Sequence, residues 1–171
     1  MSVIKYAALA VCINFLGNCV TAAEDAVMKI SSPSFEHQKT IPKKFTCQGE
    51  DVNPALHIQD IPQNAKSLAL IVDDPDAPGG TWVHWVVFDI PVTTEIKENT
   101  IPGKQGHNDF GRNDWGGPCP PSGTHRYFFK VYALDTVLNL REGITKQVLE
   151  AAMKGHAVAQ AELIGLYTKD R

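Results

Sequence analysis

Asp74 and Asp76 sit in the segment Asp74-Pro75-Asp76-Ala77-Pro78, and His84 follows inside the apolar, aromatic run Trp82 to Ile90. A second rigid segment, Gly116-Gly117-Pro118-Cys119-Pro120-Pro121-Ser122-Gly123, leads into His125 and Tyr127. A carboxylate close to an imidazole favours its protonated form, so a raised pKa is expected for His84 or His125. Prolines on either side fix the loops before anything binds, which lowers the ordering entropy a ligand must offset. Asp and His together also suit a metal ion, but no His-x-x-x-His or Glu-x-x-His spacing is present, and neither metal nor cofactor is expected. A hydrolase needs a nucleophile. Ser122 and Cys119 lie near His125, yet neither occupies a strand-to-helix elbow, so the chain reads as a non-enzyme. For Asp74 and Asp76 the plainer alternative is turn capping, which fits Asp76 better than Asp74.

These side chains need strands to carry them. Leu56-His57-Ile58, Ser67 to Val72, Trp82 to Ile90 and Tyr127 to Leu134 are short apolar runs separated by turn residues, and Ser67 to Val72 reads as a strand covered on both faces. With side chains alternating, Trp82, His84, Val86 and Phe88 are expected on one face, and His125, Tyr127, Phe129 and Val131 on one face of another strand. Gly103 to Gly123, rich in glycine and proline, reads as a long functional loop. One helix is expected after the N-cap Thr145, with Val148, Leu149, Ala152 and Met153 as its apolar stripe and Gly155 just past its end. Ala157 to Tyr167 reads as a last strand. The sum is a mainly β protein, an antiparallel β-sandwich with one helix near the C-terminus.

The sequence has 171 residues, enough for one domain with its own core. Lys5 followed by the apolar run Tyr6 to Val20 and by Thr21-Ala22-Ala23 reads as an export signal over residues 1–23, leaving a single domain over 24–171. A lipoprotein signal ending at Cys19 ranks below it, because Asn18 suits that position poorly. The run is too short and interrupted for a permanent membrane span. The expected location is therefore periplasmic or secreted. Losing residues 1–23 removes Lys5 alone among the charges, so the net charge of −3 becomes slightly more negative. An acidic domain without a Lys/Arg block is a poor partner for nucleic acid or anionic membranes. Cys47 and Cys119 remain as a pair that an exporting compartment allows to be one disulfide or two thiols.

The two Gly/Pro segments with their histidines resemble the signature regions of the phosphatidylethanolamine-binding protein (PEBP) family, whose eukaryotic members include the Raf kinase inhibitor proteins. The likeness runs from about Ile30 to Tyr167, and the short Pro78-to-His84 spacing is most similar to the bacterial and archaeal branch. The resemblance implies a sandwich with Greek-key connections and a ligand site of Asp74, Asp76, His84, His125 and Tyr127, with Trp82 as a wall and Gly117 offering its backbone N–H. Such a site would grip phosphate oxygens with imidazole and glycine donors, while Asp74 or Asp76 accepts an ethanolamine ammonium. It also implies a small anionic or phosphorylated ligand, a kinase or serine protease as a possible protein target, and a homodimer. Arg126 is expected to anchor its strand through a buried or semi-buried ion pair, and the segment Asn108-Asp109-Phe110-Gly111 to hold the Gly-rich loop by side-chain-to-backbone hydrogen bonds. His156 is expected to be a packing residue.

Overall fold

The computed structural model describes residues 27–170. The expected signal over 1–23, with Cys12 and Cys19, lies outside the described residues. Among the described residues nine strands form two sheets. β1 (Lys29–Ser31), β3 (Leu56–Gln59) and β6 (Glu95–Ile96) make the smaller sheet, in the order β1-β3-β6. β2 (Lys39–Thr40), β4 (Ser67–Asp74), β5 (Trp82–Ile90), β7 (Lys104–Gln105), β8 (Thr124–Leu134) and β9 (Ala157–Thr168) make the larger, ordered β2-β9-β8-β4-β5-β7. All pairings are antiparallel except β2 with β9. The single α-helix among the described residues, α1 (Lys146–Met153), precedes β9.

β4 is buried at every position, as its unbroken apolar run requires. Leu68, Leu70 and Val72 face the core between the sheets, together with Leu56, Ile58, Trp85, Val87, Phe129 and Val131. Ala69 and Ile71 face the other way and meet Val83, Val86, Phe88, Leu149 and Met153 beneath α1. Each large side chain buried here stabilises the fold by roughly 1.5–3 kcal/mol.

α1 starts where the sequence predicts. Thr145 accepts a side-chain hydrogen bond from Val148 N at 3.4 Å, and Gly155, with φ of +85°, follows the C-cap Lys154. The stripe is narrower than expected: Leu149 and Met153 are buried, whereas Val148 is 46% exposed. Positions four apart share a helix face, while Val148 is turned about 100° from Leu149. His156 is also corrected. It is exposed and pairs with Asp135 at 2.9 Å rather than packing.

The largest departure concerns β5. Asp73 pairs with Val83 and Val72 with Trp85, so His84 is an extra residue, a β-bulge. Strict alternation would have put Trp82 and His84 on the face of Val86 and Phe88. The bulge reverses the strand's facing at this point. Val83 goes under α1 with Val86 and Phe88, while His84 comes round to the face of Trp85 and Tyr127.

Candidate functional site

In the large sheet β8, β4 and β5 are neighbours, so the start of β8, the end of β4 and the start of β5 lie side by side. Asp74 comes from β4, Trp82 and His84 from β5, and His125 and Tyr127 from β8. They line one cavity of about 240 Å³, walled by Pro78, Pro120 and Pro121 and by the ring of Phe110. The bulge is what turns His84 into it.

Asp74 is buried and both its oxygens are engaged. Oδ2 accepts from His125 Nδ1 at 2.7 Å, and Oδ1 accepts from the backbone N–H of Asp76 at 2.8 Å. His84 donates from Nδ1 to the carbonyl of Gly116 at 2.6 Å, and Gly116 N returns a hydrogen bond to His84 O at 3.1 Å. The His84 ring meets Tyr127 and Phe110 edge to face, with centroids 5.1 and 5.2 Å away. Its pKa is lowered, contrary to the expectation of a raised one for this ring. Burial is the dominant cause, and it outweighs the Gly116 carbonyl and the charges of Asp74, Asp73 and Asp109.

Tyr127 forms the floor. Burial first, then the charge of Asp74, pushes its hydroxyl far above the usual phenol range; the Cys119 amide opposes this without reaching hydrogen-bond geometry. Among the described residues, two buried polar side-chain atoms lack a partner, Trp115 Nε1 and the Tyr127 hydroxyl, and of these two residues Tyr127 borders this cavity. Trp82 and Phe110, 39% and 41% exposed, stand edge to face at 5.5 Å at its mouth.

Two expected members stand outside the cavity wall. Asp76 turns to Arg126, accepting from its backbone N at 3.0 Å, from Nε at 2.8 Å and from Nη2 at 2.7 Å. Those hydrogen bonds, with the Arg126 charge, hold the Asp76 carboxyl down at about 2. Arg126 is thus the strand anchor its position suggested, on the surface rather than buried. Gly117 has its N–H engaged by Asp51 Oδ1 at 2.8 Å and so does not offer it to a ligand. A side chain there would meet that oxygen at 2.3 Å and Phe45 O at 2.5 Å, so glycine allows the close approach. Cys47 and Cys119 form a disulfide with Cα atoms 5.5 Å apart, tying the turn after Phe45 to the cavity wall.

A family model described as phosphatidylethanolamine-binding protein matches residues 31–168, nearly the whole described domain. The chain belongs to the PEBP family. A UPF0098 protein of Pyrococcus abyssi is 50% identical over 163 residues, covering 88% of this chain and 90% of the relative. The crystal structure of a PEBP homologue from Chlamydia trachomatis superposes with a TM-score of 0.82 at 45% identity, covering 84% of this chain and 99% of that one. E. coli YbcL, described as a member of the mammalian PEBP family, superposes with a TM-score of 0.78 at 30% identity, covering 85% and 100%.

In this PEBP-family protein, Phe110, Pro120 and Pro121 are cavity residues that sequence reasoning did not assign to the site. An exposed aromatic in the loop Asn108-Asp109-Phe110-Gly111 was the available signal. Asn108 holds that loop: Oδ1 accepts from Phe110 N and Arg112 N, both at 3.1 Å, and Nδ2 donates to Asp114 O at 2.9 Å. Among the described residues no group of three His, Cys, Asp or Glu side chains is placed to hold a metal ion, and no helix is long and apolar enough to cross a membrane.

Proposed function

We propose that this PEBP-family protein is a non-enzymatic binding module whose cavity takes a small anionic group, a phosphate on a headgroup or side chain. The observation that carries the reading is the meeting of the Asp74–His125 pair, His84 and the unpartnered Tyr127 hydroxyl in one mostly apolar, proline-walled cavity. A buried hydroxyl without a partner favours a ligand that accepts from it. His125, whose Nδ1 is held by Asp74, supplies a second donor at Nε2 when protonated. The aromatic and proline mouth suits the apolar body carrying the anion. The Cys47–Cys119 bridge supports the reading of an exported protein, since such bonds persist in oxidising compartments.

Calorimetric titration with O-phosphoethanolamine tests this. Saturable binding is expected, weakened in His125→Ala by about 1.5–3 kcal/mol, the range for a hydrogen bond involving a charge. Absence of binding, or equal binding by the variant, removes the reading.

The 2.7 Å contact between His125 and Asp74 favours one second reading, because a carboxylate-oriented imidazole is the arrangement of a general base. A hydrolase of this kind would show multiple turnovers on a phosphate or carboxylate ester, abolished in His125→Ala. Binding without turnover leaves the first reading alone.

A further inference from the structure

The donor and acceptor pattern of the cavity says more than that an anion fits. A carbonyl oxygen only accepts, so the 2.6 Å contact with Gly116 O places a proton on His84 Nδ1. In the neutral ring this leaves Nε2 as a bare acceptor. Among the described residues Nε2 has no hydrogen-bond partner and is not one of the sealed, unpartnered polar atoms, and His84 lines the cavity. Asp51 reinforces the arrangement by holding Gly117 N, which fixes the peptide beside Gly116.

The surroundings keep the ring neutral. Asp74 and Asp73 from β4 and Asp109 from the long loop favour protonation, while burial opposes it more strongly. The other neighbours, Tyr127 and Phe110, present ring faces and edges, and His125 also lines the cavity. Among the described residues no lysine or arginine lines the cavity, and Arg126, the cation beside His125 in the chain, is committed to Asp76.

A ligand here must therefore do two opposite things, donate a hydrogen bond to His84 Nε2 and accept one from His125 Nε2. We infer that the pocket selects a phosphate monoester in its singly protonated, monoanionic form, with the P–OH donating to His84 and the P–O⁻ oxygens accepting from His125. This rests on the anion-pocket reading above and narrows it. A sulfate ester, a phosphodiester or a phosphate dianion has equal or greater charge and lacks the P–OH.

The test compares phenyl phosphate, phenyl sulfate and glycerophosphoethanolamine by calorimetry from pH 8 to pH 5. A phosphate monoester releases its second proton near pH 6, so the phenyl phosphate association constant should rise roughly 50- to 100-fold over this range. Phenyl sulfate, which keeps one charge and no proton throughout, should bind at least tenfold more weakly at pH 5. Glycerophosphoethanolamine, a diester, should be similarly weak. Equal binding of sulfate and phosphate with a shared pH profile would place the pH dependence in the protein and overturn the inference. Tight, pH-independent binding of the diester would make the ammonium the donor and overturn it too. Failure of all three to bind would instead remove the underlying anion-pocket reading. Nitrogen-15 NMR of the His84 ring gives an independent check: a protonated Nδ1 and bare Nε2 at pH 7 are expected, and the opposite tautomer excludes the mechanism.

Discussion

Asp73 and Asp74 are adjacent on β4 and face opposite sides of the same sheet. Both carboxylates are almost fully buried, yet they are satisfied in different ways. Asp73 receives Lys130 Nζ at 2.8 and 3.0 Å and Lys146 Nζ at 2.6 Å, the first from the neighbouring strand β8 and the second from α1, which it ties to the sheet. Burial alone would lower the Lys146 pKa; the Asp73 hydrogen bond and the charges of Asp73 and Glu150 outweigh it and leave it raised. That cluster pairs its charges within the protein. Asp74 receives one imidazole and one backbone N–H, beside two imidazole Nε2 atoms and a hydroxyl without protein partners. The difference lies in unused hydrogen-bonding capacity: buried charge alone marks an anchor, whereas buried charge beside open donors and acceptors marks a site.

The sharpest way to break this comparison is to remove each carboxylate in turn. Asp73→Ala removes the carboxylate partner of Lys130 and leaves Lys146 with Glu150 alone, at 3.6 Å, and should lower the unfolding free energy by about 3–5 kcal/mol in urea titrations. Its folded fraction should bind O-phosphoethanolamine within about twofold of wild type, a difference of ~0.4 kcal/mol. Asp74→Ala should do the reverse. Its affinity should fall by about 1.5–3 kcal/mol, while its stability loss stays below that of Asp73→Ala, because one imidazole loses its acceptor rather than two ammonium groups losing theirs. Equal losses in both measurements would erase the distinction.

Tyr127→Phe is the next test. Deleting an unpartnered buried hydroxyl should leave thermal stability unchanged or slightly higher, and weaken ligand binding by about 1 kcal/mol. A clear loss of stability would mean the hydroxyl has a structural partner after all.

The smallest effect belongs to Asp76, a pair at the surface. Asp76→Asn should cost less than about 1 kcal/mol, screened by solvent and salt. The folded pKa of about 2 lies below the ordinary 3.8, so the ionised form is favoured by folding. The contribution is full above pH 3.8 and is lost as pH falls through about 2. Stability curves of wild type and variant should therefore converge toward pH 2; curves that stay parallel would deny the pair its role.

The five longer strands, β3, β4, β5, β8 and β9, and the helix with its Thr145 cap were legible from local pattern, whereas the short β1, β2, β6 and β7 were not; the meeting of His84, His125, Asp74 and Tyr127 in one cavity was implied by the family motifs. Three features of the site were not. The Gly117 N–H looked free because its acceptor, Asp51, lies 66 positions earlier in the chain. Phe110 was not assigned to the site, because it meets His84 only through the fold of residues 108–116. The charge of His84 was misjudged because neighbouring carboxylates are visible in a sequence, whereas the extent of burial that outweighs them is not.

Hydrophobic period, Gly/Pro punctuation and capping residues act over a few residues, and they determined which segments become strands and where α1 begins. The tertiary structure decided the rest. One extra residue in β5 relative to β4 turned His84 into the cavity, and such a bulge depends on how two strands register, not on the alternation within one. The same packing made His84 a buried ring bonded to Gly116, whose free nitrogen accepts rather than donates. Proton placement follows from solvent exclusion and from partners remote in the chain, and both exist only after the sheets have closed over the site.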